Sequence, residues 1–229
     1  ILFPMKRKKI FSIILARGGS KGIKNKNLKT VNNKPLLYWS ITQSLNSKLI
    51  NKTFVSSDSQ KILNYSKKIG AETILRPYKY AKDKTISEKS LLHSINYLER
   101  KKFEFDTIVF IQPTSPIRKK NDFDEAIKKF NYKRLDSLFS ANISHDINFW
   151  EFRKKVLNAN YNYKKRKMRQ DLNKKYLENG SFYIFDKQKF KKEKCRLFGK
   201  IDFYLMDKLQ SFQIDDADDF KIINLIFKL

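Results

Sequence analysis

Between residues 10 and 141 the chain alternates short apolar runs with segments whose apolar residues recur three and four apart. The runs at 10–16, 53–57, 72–75, 106–111 and 136–141 have the length and composition of strands. The segments between them predict helices. One covers 35–45, with Pro35 in its first turn and Leu37, Ile41 and Leu45 on one face. A second covers 59–69 and stops at Gly70, a third carries Leu91, Leu92, Ile95 and Leu98, and a fourth covers 122–130. Parallel neighbours need a crossover, and a helix is the crossover that buries the sheet it spans, so this alternation selects an α/β fold with a mostly parallel sheet flanked by helices. The run at 106–111 is strongly apolar, which places it at the centre, buried on both faces.

Two of these strands end in segments that suit a ligand. The first runs into Ala16-Arg17-Gly18-Gly19-Ser20-Lys21-Gly22, with Lys24, Lys26 and Asn27 just beyond. Its three glycines let backbone N–H groups turn toward one point, its cations add charge there, and no acidic residue precedes Asp58. That combination suits a polyphosphate. The spacing matches neither the P-loop nor the dinucleotide-binding glycine pattern, and taken alone the loop fits a structural turn equally well. The central strand ends in Gln112-Pro113-Thr114-Ser115-Pro116-Ile117-Arg118, a rigid rim at the edge where open α/β sheets hold ligands.

After residue 141 the pattern changes. Residues 143–176 mix Phe149, Trp150, Phe152, Tyr161 and Tyr163 with many lysines and arginines, without a clean period. This predicts an excursion from the sheet whose aromatic surface contacts another subunit. A strand over 180–185, a basic helix over 187–194, a strand over 201–206 and a helix over 217–227 complete the chain. Asp216 is placed to cap the last helix, with Asp219 in its first turn.

Composition bounds the rest. The 229 residues read as a single domain over 1–229, and 41% hydrophobic content supports a globular core. A net charge of +27 and a pI near 10 point to phosphate-rich partners, but the lysines run along nearly the whole chain and form no motif. A basic nucleic-acid-binding module, with Tyr161 and Tyr163 stacking on bases, is the alternative from a different class; nucleic acid is not the expected partner. The single Cys195 excludes an internal disulfide, and His93 and His145 do not make a histidine-rich zinc site. Lys6 to Lys9 precede the first apolar run in the manner of a signal peptide, but that run is short and ends in Arg-Gly-Gly. Met5 reads as the natural start, with 1–4 an extension, and no run has the length to cross a bilayer. The expectation is a cytoplasmic protein with no membrane partner.

Taken together these segments resemble the acylneuraminate cytidylyltransferase family, which makes CMP-activated sialic acids and related nonulosonic acids. The resemblance covers most of the chain. It rests on 16–22 followed by Lys26-Asn27, on Val55-Ser56-Ser57-Asp58, on Arg76-Pro77 with Ala81, Asp83 and Ser87, and on Gln112-Pro113-Thr114-Ser115-Pro116 with Arg118. It continues in Arg169-Gln170-Asp171-Leu172, Glu178-Asn179-Gly180 and Ile214-Asp215.

The resemblance implies a glycosyltransferase-A-like nucleotide-binding fold with a dimerisation excursion, a homodimer, and transfer of CMP from CTP to a nine-carbon 2-keto-3-deoxy sugar acid with Mg²⁺ or another divalent cation. An eight-carbon acid is the alternative within the class. It assigns the nucleotide to Ala16, Arg17, Gly18, Gly19, Ser20, Lys21, Lys26, Asn27, Arg76 and Ser87. The acid falls to Gln112, Arg169, Gln170, Asn179 and Tyr183. Arg17, Lys21 and Asp215 are the catalytic residues it implies, with Asp215 the metal ligand. Cations there suit attack at an α-phosphate, because charge grows on the leaving pyrophosphate. The chain departs from the family at Gln213-Ile214-Asp215, where Asp-Ile-Asp is common, and at Asn173, where Pro is usual. No protein nucleophile is required, since the sugar's anomeric hydroxyl serves.

Overall fold

A computed structural model describes residues 8–19, 22–144 and 148–228. The first strand, β1 (Ile10–Leu15), runs into the glycine loop, a 3-10 turn (Lys26–Leu28) and a small hairpin of β2 (Thr30–Val31) and β3 (Lys34–Pro35). Helix α1 (Leu36–Leu45) follows directly, with Pro35 as its N-cap at φ −53° rather than inside the first turn. Leu36, Leu37, Ser40, Ile41 and Ser44 form its buried face. Leu45, expected on that face, is exposed, because the stripe drifts toward Ser44 as the helix ends.

The predicted alternation then appears as β4 (Lys52–Ser57), α2 (Gln60–Ile69), β5 (Glu72–Leu75), α3 (Ser87–Arg100), β6 (Thr107–Ile111), α4 (Asp122–Tyr132) and β7 (Ser137–Ser144). Gly70 closes α2 in the left-handed conformation at φ 104°, where a Cβ is penalised. Beyond β7 lies a separate hairpin, β8 (Trp150–Arg153) with β9 (Val156–Ala159). The long β10 (Lys175–Asp186), α5 (Lys187–Glu193), β11 (Ile201–Leu205) and α6 (Ala217–Ile226) close the chain. Asp216 caps α6 in a reciprocal box with Asp219.

The main sheet has the order β11-β7-β10-β6-β1-β4-β5, and only β10 runs against its neighbours. Inserting β10 between β6 and β7 brings residues from late in the chain beside the central strand. Successive β1 side chains feed two cores. Ile14 belongs to the core that includes Leu37, Ile41 and Phe123, beneath α1, α2 and α4, whereas Ile13 belongs to the one that includes Leu91 and Ile95 of α3 and Phe190 of α5.

The aromatic segment differs in part from its expectation. Both ends of 143–176 belong to the main sheet, as the end of β7 and the start of β10, so the excursion proper is the hairpin and the stretch after it. Most of its aromatic side chains stand in solvent, Phe149 63% and Phe152 76% exposed, while Tyr161 is partly covered and lies edge-on to Trp150. Among the described residues no helix is long and apolar enough to cross a membrane.

Candidate active site

From β1 the chain steps to β4 and β5 on one side, then returns to β6 on the other. The loops leaving β1 and β6 therefore diverge, and the crevice between them is where open α/β sheets place ligands. A cleft of about 310 Å³ opens there, lined by Arg17 and Asn27 from the first loop, Arg76 and Ser87 ahead of or at the start of α3, and Pro113 and Thr114 from the rim.

The first loop is held by its own backbone. Ala16 is fully buried and donates its N–H to the Ser56 carbonyl at 3.0 Å, carrying the ladder one residue past β1. Gly18 donates to the Asp58 carboxylate at 2.9 Å, and the Asn27 amide donates to the Arg17 carbonyl at 3.0 Å. A Cβ on Gly18 would stand 2.8 Å from the Ser59 Cβ, so this close approach needs glycine. Gly19 has open space around it. Ser20 and Lys21, assigned to the triphosphate by resemblance, lie outside the described residues.

Of the cations that line the cleft, Arg17, Lys26 and Arg76 stand in different states. Arg17 pairs with Asp83, both half-exposed. Lys26 is largely covered; its Nζ donates to the Ile214 carbonyl at 2.6 Å and lies 3.4 Å from the Asp215 carboxylate. Arg76 is 4% exposed, and its Nε has no hydrogen-bond partner among the described residues. Burial pushes its pKa down to about 10, opposed by the Asp58 charge and reinforced by Arg17. A cation desolvated beside another cation gains from an incoming anion.

The rim and the β10 strand form the opposite wall. Glu178 faces Ala141, but Tyr183 faces Phe139, so residues 179–182 bulge out of the ladder. Gly180 sits in this bulge at φ 64°, against the Gln112 side chain. Arg118 locks rim and bulge together. Its guanidinium donates to the Gln112 and Ser181 carbonyls, both at 2.9 Å, to the Ser181 hydroxyl at 2.8 Å and to Gln43 at 2.9 Å. Burial pushes its pKa down to about 9.

The remaining assigned residues fall in different places. Ser87 opens α3 and lines the cleft. The Asn179 side chain is buried, donating to the Ser211 hydroxyl at 3.0 Å and accepting from the Ser181 N–H at 3.2 Å. Tyr183 is 3% exposed and donates its hydroxyl to Glu178; burial and that carboxylate hold the phenol well above its ordinary pKa. These two side chains shape the bulge from within. Gln170 lies in an exposed turn (Arg169–Asp171) and is not among the cleft-lining residues; the Arg169 side chain is outside what is described.

Asp215 presents an exposed carboxylate beside Lys26, and its N–H donates to Asp219 at 2.7 Å. Gly22 lies under this segment, where a Cβ would meet the Asp215 carbonyl oxygen at 3.1 Å. Gln213 has a visible task. It donates to the Asn179 carbonyl at 2.7 Å, which a carboxylate in its place would repel. The sequence motifs include Asp58 and Asp83 and mark Gln213 as a departure, but they assigned none of the three a role, because the partners Gly18, Arg17 and Asn179 stand far away along the chain.

A twisted parallel sheet whose switch-point crevice holds a glycine loop, enclosed cations and a polar rim defines an α/β nucleotide-binding enzyme, here of the nucleotidyltransferase class. The chain belongs to the cytidylyltransferase family, whose model matches residues 11–225. It is 31% identical over 230 residues to the post-translational flagellin modification protein B of Campylobacter coli, covering 96% of this chain and 95% of that one. It is 32% identical over 231 residues to the CMP-N,N'-diacetyllegionaminic acid synthase of Campylobacter jejuni, with 96% and 95% covered. The N-acylneuraminate cytidylyltransferase of Escherichia coli is 32% identical across 94% of this chain, which spans 51% of that relative's length. A solved CMP:2-keto-3-deoxy-manno-octonic acid synthetase, complexed with CTP, superposes with a TM-score of 0.70 at 11% identity, covering 96% of this chain and 98% of that one; the likeness is one of fold.

Proposed function

We propose that this protein joins CTP to a nine-carbon 2-keto-3-deoxy sugar acid of the sialic, legionaminic or pseudaminic type, giving the CMP-sugar and pyrophosphate, and that it acts as a cytoplasmic homodimer. The observation that carries the reading is Arg76, an enclosed cation with an unpartnered Nε on the wall of a switch-point cleft, beside the glycine loop. The near full-length likeness to a legionaminic acid synthase favours the nine-carbon class.

In this reading the triphosphate lies against the loop 16–19, where the Ala16 and Gly18 N–H groups are engaged by Ser56 and Asp58 and leave those of Arg17 and Gly19 for it, with the Arg17 and Lys26 side chains beside it and Lys21 joining them. Arg76 and Ser87 hold the nucleoside side. Gln112 meets sugar hydroxyls and Arg169 the sugar carboxylate, for which a guanidinium fork is well shaped. The anomeric oxygen attacks the α-phosphorus and the bond to the β-phosphate breaks, so negative charge grows on pyrophosphate among the cations. Among the described residues no three acidic, histidine or cysteine side chains could hold a metal by themselves. Mg²⁺ suits a single carboxylate supplemented by phosphate and water oxygens, and Asp215 supplies that carboxylate. The ion would neutralise phosphate charge. The exposed aromatic hairpin supports the homodimer.

The test is pyrophosphate release with CTP, Mg²⁺ and a panel of sugar acids. Turnover with a nine-carbon acid and CTP, but not with ATP, GTP or UTP, is expected. Turnover confined to an eight-carbon acid would move the substrate assignment, and silence with every acid would end the reading.

A further inference from the structure

We propose that Arg196 is a positioning residue for the transfer, holding the nucleotide wall of the cleft and the acid wall at a fixed separation; this rests on the function proposed above. Arg196 lies between α5 and β11 and does not line the cleft. It reaches both walls from behind. Its Nε donates to Glu88 at 2.6 Å, and Glu88 follows the cleft residue Ser87 in the first turn of α3. Its guanidinium carbon lies 4.9 Å from the Tyr183 ring centroid and 5.2 Å from that of Phe110.

Those two rings belong to the other wall. Phe110, in β6, precedes the rim residue Gln112 by two positions, and Tyr183 ends the bulge that contains Gly180. The rings stack on each other at 5.8 Å across the β6–β10 ladder. The Tyr183 hydroxyl then closes the bulge onto Glu178. One planar cation thus joins α3 and β10, which carry Ser87 and Gly180, to β6, whose end leads directly into Gln112.

A guanidinium suits this position because its edge can pair with a carboxylate while its face covers aromatic rings. The pair is shielded, with 19% of the Arg196 and 15% of the Glu88 side chain exposed, so it orients more firmly than a solvated pair. Lysine can reach Glu88 but offers no flat face.

The test compares wild type with Arg196→Leu, Arg196→Lys and Glu88→Gln, the last sparing the aromatic contacts in case Arg196→Leu folds poorly. Four quantities are read: melting temperature, CTP Kd by calorimetry, kcat and KM for each substrate, and CTP-induced slowing of amide hydrogen exchange at residues 179–182. CTP is expected to slow exchange there in wild type, the slowing to be lost in Arg196→Leu and Glu88→Gln, and Arg196→Lys to restore part of it. The expected kinetic loss is in kcat, on the order of tenfold, since small misplacements of reacting groups are costly, with CTP Kd nearly unchanged.

A fall in melting temperature with kcat per folded molecule and exchange unchanged would overturn the proposal, as would a loss confined to CTP binding. If wild type shows the exchange response and Arg196→Leu and Glu88→Gln lose it, but no acid gives pyrophosphate, the function reading fails while the coupling of the two walls through Arg196 stands. If wild type turns over and neither exchange nor kcat responds to the variants, the positioning role alone fails.

Discussion

Gly180 and Gln112 compete for one small space: a Cβ on Gly180 would stand 2.7 Å from the Gln112 side-chain oxygen and 3.0 Å from the Gln213 amide nitrogen. The bulge therefore presses glycine against the residue proposed to meet the sugar. Gly180→Ala forces the Gln112 amide aside and places an alanine at φ 64°. The expected cost is about 1 kcal/mol of stability from the left-handed backbone. A larger effect is expected in the KM for the acid, with the KM for CTP little changed. Urea unfolding and steady-state kinetics measure the two separately.

Asp215 can be altered without touching the core, because its carboxylate is 79% exposed. Asp215→Asn should leave the melting temperature unchanged and lower kcat/KM by on the order of a hundredfold, the scale of losing one charge-stabilising group. The Mg²⁺ concentration for half-maximal activity should rise in the same variant. An unchanged Mg²⁺ titration would remove Asp215 from the metal site.

Arg118 should matter for stability first. Lysine at this position cannot make the forked contacts to the Gln112 and Ser181 carbonyls, so buried acceptors lose their donors. Arg118→Lys is expected to lower stability by roughly 2 kcal/mol, read as a lower urea midpoint at unchanged slope.

His93 sets a pH dependence. Burial first, then Arg100, Arg76 and Lys79, hold its pKa below the ordinary 6.5. The unfolded chain therefore takes up a proton at this residue before the folded one does, and stability falls as pH drops through 6.5 toward the folded value. His93→Phe keeps a ring against Tyr80, which lies 5.0 Å away, and removes the proton. Its stability relative to wild type should increase between about pH 7 and about pH 5. A constant difference across that range would contradict the assignment.

The hairpin predicts association. Phe152 is 76% exposed on β8, and Phe152→Glu places a charge on the surface proposed to meet a second copy. Sedimentation should show a dimer for wild type and a shift to monomer for the variant, with circular dichroism unchanged.

The strand and helix order, the central place of β6, the cap on α6 and the glycine stop of α2 were all legible locally, because apolar period, φ preference and end-capping are properties of neighbouring residues. So was the glycine loop after β1, whose resemblance to a known triphosphate loop needed no three-dimensional information. Placing β10 between β6 and β7 was not legible, since antiparallel insertion is decided by which edges remain to be paired once the sheet collapses. The bulge, the lock formed by Arg118 and the contact of Gln213 with Asn179 follow from that insertion. Arg118 and Ser181 stand 63 residues apart in the chain and Gln213 and Asn179 stand 34 apart, and burial leaves each polar atom to find its partner across the fold. The amino-acid order by itself determined an α/β sheet with a glycine-rich, cationic loop at one end. Tertiary packing decided which charges the loop would face, because desolvation and partner geometry exist only once the elements meet.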